Sequence, residues 1–98
     1  MKLVRDRIPE IIRQKGETVN VRECEDSIEM FNLLRAKLVE EAQEFQEAKN
    51  RADAYEELAD VLEVVAAIVA TFDPEMLAQV RTLKALNKGT FKRGLVID

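Results

Sequence analysis

The strongest constraint on the fold is an apolar helical stretch in the middle of the chain, residues 58–69. Leucines and valines at helical spacing form one stripe along it: Leu58, Leu62, Val65 and Val69. Five more apolar residues fill most of the remaining circumference: Val61, Val64, Ala66, Ala67 and Ile68. A helix that is apolar all round must be covered on all sides. A chain of 98 residues supplies few partner helices, so we expect a homodimer or homotetramer whose interface includes this helix.

Turn and capping residues divide the rest of the chain into helices. Pro9 is suited to a first helical turn, and Gly16 follows as a stop signal. Aspartates suited to the N-cap position precede the three later helices: Asp26, Asp53 and Asp73. We therefore expect an all-α bundle with two long central helices and shorter ones, in a single domain over residues 1–98. The predicted helices cover about residues 8–15, 26–49, 53–71 and 74–88.

The distribution of charge excludes several classes of protein. Net charge is −4, with seven acids and no base between residues 52 and 80, whereas both ends of the chain are basic. A net acidic surface does not favour nonspecific nucleic-acid binding, so no nucleic-acid partner is expected. Residues 64–72 form the longest uncharged run, about half of what a membrane span needs, so no membrane association is expected. A single cysteine and a charged N-terminus favour a cytoplasmic protein.

Four glutamates in the predicted second helix divide between two faces. At about 100° per residue, Glu41 falls within the arc of apolar residues that includes Leu34 and Leu38. Glu44 lies on the edge of that arc, and Glu40 and Glu47 fall outside it. Two glutamates spaced i, i+3 are therefore expected to face the core or its edge, and two are expected to face water.

The predicted third helix shows the same i, i+3 arrangement. Glu57 and Asp60 share a face that continues into Val64, Ala67 and Ile68 instead of into polar residues. No lysine or arginine follows any of the four inward acids at i+3 or i+4, and Lys37, four residues before Glu41, is their only helical neighbour of opposite charge.

Unpaired carboxylates in an apolar environment need a counter-charge. Burying one costs several kcal/mol unless it is paired or bound to a metal, and four together repel one another. The four inward acids therefore favour a divalent cation, and hard oxygen ligands favour Mg²⁺, with Mn²⁺ as a substitute. The alternative is a glutamate-rich face in water, which is common on helical proteins.

Three segments of the chain resemble a known family. The spacing Glu41-x-x-Glu44, twelve residues, then Glu57-x-x-Asp60 is similar to the metal motif of the all-α NTP pyrophosphohydrolases, the MazG-like group that includes the phosphoribosyl-ATP pyrophosphohydrolases. The sequences around this motif, LVEEAQEFQEA and EELADVLEVV, also resemble those of that family. The opening KLVRDRIPEII and the ending KALNKGTFKRGLVI resemble a subgroup of short phosphoribosyl-ATP pyrophosphohydrolase-like proteins, although Lys88 and Thr90 depart from the subgroup's usual Arg and Gly.

The resemblance implies a MazG-like helical bundle that forms oligomers and hydrolyses a nucleoside triphosphate, as its nucleotide substrate, to the monophosphate and pyrophosphate. It implies that the four acids hold Mg²⁺: Glu41, Glu44, Glu57 and Asp60. Glu41 or Glu44 is the expected catalytic base. Basic residues of the first and last segments are the candidates for binding phosphate: Lys2, Arg5, Arg7, Lys84, Lys88 and Lys92.

Three functions stay open from the sequence. The first is a Mg²⁺-dependent nucleotide pyrophosphohydrolase with a house-cleaning role, and the second is phosphoribosyl-ATP hydrolysis in histidine biosynthesis. The third is a non-catalytic helical oligomerisation module whose acids are solvated. The chain has no GxxxxGK[ST] loop and no histidine, which excludes a P-loop NTPase and Ser-His or Cys-His catalysis.

Overall fold

The computed structural model describes all residues from 1 to 98 and contains four α-helices and no strand. The helices are α1 (Ile8–Gln14), α2 (Ser27–Gln46), α3 (Arg51–Val69) and α4 (Pro74–Lys88). The all-α prediction is confirmed. The chain divides into two units, Met1–Ile68 with α1, α2 and nearly all of α3, and Val69–Asp98 with α4. None of the four helices has the length and apolar composition that a membrane crossing requires.

Two of the predicted helix starts are confirmed by their capping hydrogen bonds. The Asp26 carboxylate accepts a hydrogen bond from the Glu29 backbone N–H at 2.8 Å and begins α2. The Asp73 carboxylate accepts from the backbone N–H groups of Glu75 and Met76 and begins α4. Each cap satisfies N–H groups that have no partner inside the helix.

The predicted start of α3 is wrong. The helix begins at Arg51, two residues before the expected cap, and the Asn50 side chain accepts a hydrogen bond from the Asp53 backbone N–H at 2.9 Å. Asparagine is as good an N-cap as aspartate, so Asn50 takes that position and Asp53 lies inside the first turn. The ends of α2 and α3 also come earlier than expected, at Gln46 and Val69. No glycine or proline marks either end in the sequence.

The connector between α1 and α2 is held to α2 by one charged pair. The guanidinium of Arg22 donates two hydrogen bonds to the Glu29 carboxylate, each 2.8 Å long. The same carboxylate accepts from the Glu25 backbone N–H at 2.9 Å. A bidentate pair of this kind fixes direction as well as distance, so residues 22–25 are oriented against the first turn of α2.

The first unit has a small core. Leu34 of α2 and Val64 of α3 are the buried apolar residues, only 2% and 8% exposed. Val64 belongs to the α3 face that also bears Glu57 and Asp60, so this face is the covered one. The other stripe of α3 remains open in the single chain, with exposures of 36–59%: Leu58, Leu62, Val65 and Val69. In the second unit, α4 has no buried residue.

We predict that the Arg22–Glu29 pair makes stability depend on pH in the acid range. The Arg22 guanidinium, with the Glu25 backbone N–H, lowers the pKa of Glu29 from 4.5 to about 2. Because the folded pKa is the lower one, this stabilisation is fully present above pH 4.5 and is lost as pH falls towards 2. Glu29→Gln should therefore lower the melting temperature at pH 7, and the difference from the wild type should shrink between pH 4.5 and 2.

Glu17→Gln is the matched control, because Glu17 is exposed in the same connector and belongs to no ion pair. Melting curves of the three proteins across this pH range test the prediction. A Glu29→Gln difference that is the same at every pH would contradict it.

Candidate metal centre

Three of the four acids expected to bind metal converge in the first unit. Glu41 and Glu44, one turn apart on α2, meet Glu57 of α3, and one carboxylate oxygen of each lies within 4.8 Å of the others. The i, i+3 spacing brings the two α2 carboxylates to neighbouring positions on one side of the helix. The helical packing that buries Leu34 and Val64 brings α3 alongside. The arrangement is compact enough for one cation to contact all three residues.

The depth of these side chains separates the cluster from an ordinary acidic surface. Glu41 is only 6% exposed, Glu57 is half-buried and Glu44 is exposed. The Oε2 atoms of Glu41 and Glu57 are both buried and have no hydrogen-bond partner. Burial, together with the neighbouring Glu44 carboxylate, raises the pKa of Glu41. Glu41 and Glu57 therefore each contribute a buried carboxylate oxygen that accepts no hydrogen bond. Together these oxygens form a negatively charged position that suits a divalent cation.

Lys37 is the basic residue that forms an ion pair with Glu41. Its Nζ lies 3.3 Å from Glu41 Oε1 and 3.4 Å from Glu40 Oε2, one turn along α2. The lysine therefore reaches one oxygen of Glu41 and leaves the other without a partner. The effect of Lys37 on the pKa of Glu41 opposes that of burial and is the smaller of the two.

Asp60, the fourth expected ligand, is not part of the cluster. The Arg5 guanidinium donates a hydrogen bond to Asp60 Oδ1 at 2.6 Å, across 55 positions of the chain. Asp60 is half-buried, and the arginine is the positive group that neutralises it in this structure. The expected four-acid ligand set is therefore assembled as three acids, while the fourth is held by an arginine that we expected to bind phosphate.

Lys2, a second basic residue of the N-terminal segment, also forms an ion pair with an acid of the long helices. Lys2 Nζ lies 2.9 Å from Glu40 Oε1, and this contact raises the pKa of Lys2 and lowers that of Glu40. Glu40 was expected to face water, but it is only half exposed and contacts two lysines. The helical positions alone gave no sign of this. The basic first segment and acidic middle of the sequence were the available signal.

The remaining expected phosphate ligands lie elsewhere in the chain. Arg7 is exposed and its closest acid is Glu10, at 3.8 Å. Lys84 and Lys88 belong to α4, and Lys92 follows that helix, so all three are part of the second unit. They are exposed and take part in none of the ion pairs of the chain.

A carboxylate cluster of this kind, with Glu41 buried and Glu57 half-buried, could hold a hard cation through its oxygen atoms. The family model of phosphoribosyl-ATP pyrophosphohydrolase matches residues 9–85. The chain therefore belongs to the phosphoribosyl-ATP pyrophosphohydrolase family, a family of hydrolases acting on phosphoanhydride bonds. The match includes all four acids and Lys84 but neither Lys2 nor Arg5. Comparisons with curated proteins and with solved structures give no match.

We predict that Mg²⁺ stabilises the folded protein through the acid cluster. A ligand that binds only the folded state at 100 times its dissociation constant adds about 2.7 kcal/mol. Glu57→Gln should abolish the Mg²⁺-dependent rise in melting temperature, because it removes the negative charge of a ligand. In the wild type one oxygen of this carboxylate is buried without a hydrogen-bond partner. The metal-free melting temperature of this variant should not fall.

Glu56→Gln is the matched control for that variant, since Glu56 is the adjacent residue and is exposed. Thermal melts with MgCl₂ and with NaCl of equal ionic strength give the comparison. The same Mg²⁺ response in both variants would place the cation elsewhere.

We predict that Arg5 competes with metal for Asp60. Arg5→Ala should tighten Mg²⁺ binding in the absence of nucleotide, because it frees the Asp60 carboxylate. The pair is about half exposed, and exposed pairs contribute up to about 1 kcal/mol, so the gain should not exceed about fivefold. Calorimetric titration with Mg²⁺ measures it, with Arg7→Ala as control. Weaker binding in Arg5→Ala would mean that the arginine positions Asp60 instead of competing for it.

Proposed function

We propose that the protein is a Mg²⁺-dependent nucleoside triphosphate pyrophosphohydrolase that converts an NTP or dNTP to the monophosphate and pyrophosphate, in a house-cleaning role. The observation that supports this most directly is the convergence of Glu41, Glu44 and Glu57 with two buried carboxylate oxygens lacking partners. The family match supports cleavage of a phosphoanhydride bond. Mn²⁺ would substitute for Mg²⁺, since both take oxygen ligands.

The acid residues would divide the work between them. Glu41, Glu44 and Glu57 would hold the cation, and Asp60 would join them once Arg5 leaves it. When bound, Mg²⁺ supplies neutralisation of phosphate charge and helps to orient the attacking water. Nucleophilic attack of water forms a new P–O bond, the bond between the α- and β-phosphates breaks, and pyrophosphate leaves.

One carboxylate must accept the proton of that water. Glu41 and Glu44 are the two candidates, and Glu44 is favoured by its exposure. It lies within the cluster yet is open to solvent, whereas Glu41 is buried and its Oε1 is held by Lys37. A carboxylate that reaches both the cluster and water can take the proton and release it to solvent.

Basic residues would neutralise the triphosphate. Lys2 and Arg5 contact Glu40 and Asp60, so they already lie beside the acid-bearing helices. When the phosphates and metal arrive, these cations would exchange a carboxylate for a phosphate oxygen. Lys84, Lys88 and Lys92 of the second unit are proposed as further phosphate ligands, on the strength of their place in the C-terminal segment.

A second candidate reaction is phosphoribosyl-ATP hydrolysis in histidine biosynthesis. The matching family model has that enzyme's description, so this reaction fits the comparison about as well as the first. The two reactions break the same kind of bond and would use the same cluster. Substrate choice alone separates them.

We predict pyrophosphate release from a panel of NTPs, dNTPs and phosphoribosyl-ATP with Mg²⁺, and none with EDTA. Glu57→Gln should lower turnover by at least about 100-fold, because the loss of a group that only supports a metal ligand already costs about 10–100-fold and Glu57 is proposed as a direct ligand. Glu56→Gln should keep wild-type turnover. The best substrate of the panel decides between the two reactions. Release of orthophosphate would mean that a different bond is cut, and a folded protein without any product would favour a non-catalytic helical module.

We also propose that the protein is a homodimer or homotetramer whose interface includes the open stripe of α3. The stripe places four apolar side chains on one side of α3, each about one helical turn from the next, and all are more than a third exposed. Leaving such a continuous apolar surface in water is unfavourable, and a second copy of α3 offers a complementary one.

We predict that Leu62→Glu dissociates the oligomer, because it places a charge in the middle of the stripe. Val39→Glu is the matched control, since Val39 of α2 is also 59% exposed but lies outside the stripe. Light scattering during size-exclusion chromatography gives the mass of each variant. If the Leu62→Glu oligomer has the same mass as the wild-type oligomer, α3 is not part of the interface.

A further inference from the structure

A cleft of about 820 Å³ lies in the first unit, between the N-terminal segment, the connector and the start of α2. Its volume falls in the range of roughly 300–1,000 Å³ that small-molecule sites occupy. Residues 1–6 form one wall, residues 19–24 form another, and α1 and α2 supply the remainder. None of the acids of the metal cluster lines it, so the cleft is a separate feature of the unit.

The cleft is nevertheless connected to the acid-bearing helices. Lys2 and Arg5 both line it, and their charged ends contact Glu40 and Asp60. Glu40 is adjacent to Glu41 in sequence, and Asp60 lies one turn beyond Glu57 on α3. The two cations therefore stand at the boundary between the cleft and the carboxylates. An anion that extends from the cleft towards the cluster would pass both of them.

The lining suits a flat, mostly apolar group. Ile8 and Ile12 of α1 and Met30 and Leu33 of α2 are half-buried apolar residues of its walls. The methionine thioether is polarisable and adapts to an aromatic ring. The amide of Asn20, an exposed residue of the connector wall, offers both a donor and an acceptor to the edge of a base.

The connector wall is held in place before any ligand binds. Arg22 lines the cleft, but its guanidinium is engaged by both oxygens of Glu29. The arginine therefore acts as a structural support and is not free for a phosphate. A wall fixed in advance reduces the conformational entropy that a ligand must remove on binding.

We propose that this cleft binds the base and sugar of the substrate nucleotide, with its phosphates extending past Lys2 and Arg5 to the acid cluster. The proposal rests on the proposed function, and it adds the position of the nucleoside and the residues that contact it. Apolar walls for the base, two cations for the phosphates and a carboxylate cluster beyond them follow one another in the order of the parts of a nucleotide.

The three methionines of the chain provide a direct test. Met1 and Met30 line the cleft, whereas Met76 is on α4 and does not. With ¹³C-methyl methionine, a non-hydrolysable α,β-methylene nucleoside triphosphate with Mg²⁺ should shift the Met30 methyl resonance and leave that of Met76 unchanged. Inorganic tripolyphosphate with Mg²⁺ should bind without a comparable Met30 shift, because it has no nucleoside. The triphosphate analogue is chosen from the best substrate of the activity panel.

A variant that fills the cleft tests the same assignment through kinetics. Ile12→Trp should raise KM for that substrate at least tenfold with little change in kcat, and the Mg²⁺-dependent rise in melting temperature should persist. Ile11→Trp is the matched control, because Ile11 is the neighbouring residue of α1, is 40% exposed and does not line the cleft.

The outcomes separate this proposal from the proposed function. Nucleotide binding that shifts Met76 but not Met30, or an unchanged KM in Ile12→Trp, overturns the cleft assignment while the pyrophosphohydrolase stands. Binding of no nucleoside triphosphate by a folded, Mg²⁺-responsive protein overturns both. A Met30 shift that tripolyphosphate reproduces in full also overturns the assignment, since the nucleoside would then contribute nothing to it.

Discussion

The burial of the Glu41 carboxylate is the constraint around which the charged groups of the first unit are arranged. A carboxylate that is only 6% exposed, with one oxygen lacking a donor, is costly in an apolar surrounding. Glu57 of α3 brings a second such oxygen to the same place, so packing α2 against α3 concentrates negative charge instead of relieving it. This arrangement costs the unit stability, and it leaves the oxygen-lined position that we propose as the site of the cation.

The basic residues around this position limit that cost without removing it. Lys37 reaches Glu41 from within α2, while Lys2 and Arg5 reach Glu40 and Asp60 from the N-terminal segment. The Lys2–Glu40 and Arg5–Asp60 pairs are partly exposed, so each can exchange its partner at a small energetic cost, whereas the Lys37–Glu41 pair is largely buried. Lys2 and Arg5, held in exposed pairs of this kind, are the cations that we propose would exchange a carboxylate for a phosphate oxygen.

Features that depend on neighbouring residues were predictable from the sequence, whereas most features that depend on packing were not. Helix content and the caps at Asp26 and Asp73 were predictable, because both follow from interactions between residues a few positions apart. The convergence of Glu41, Glu44 and Glu57 was expected from helical spacing and the absence of nearby bases. The start of α3 was misplaced because Asn50 and Asp53 are equally good caps, and only the packing of the first turn chooses between them.

The sequence by itself determined the presence of the four helices and the shared face of Glu41 and Glu44 on α2, since helical period and capping chemistry are local properties. Only the tertiary structure decided that Asp60 pairs with Arg5, because that contact joins positions 55 residues apart. The tertiary structure also decided which side of α3 is covered. The sequence could not decide this, because the helix is apolar on most of its circumference. The tertiary structure also decided the cleft beside Lys2 and Arg5, because the N-terminal segment, α1, the connector and α2 form it together.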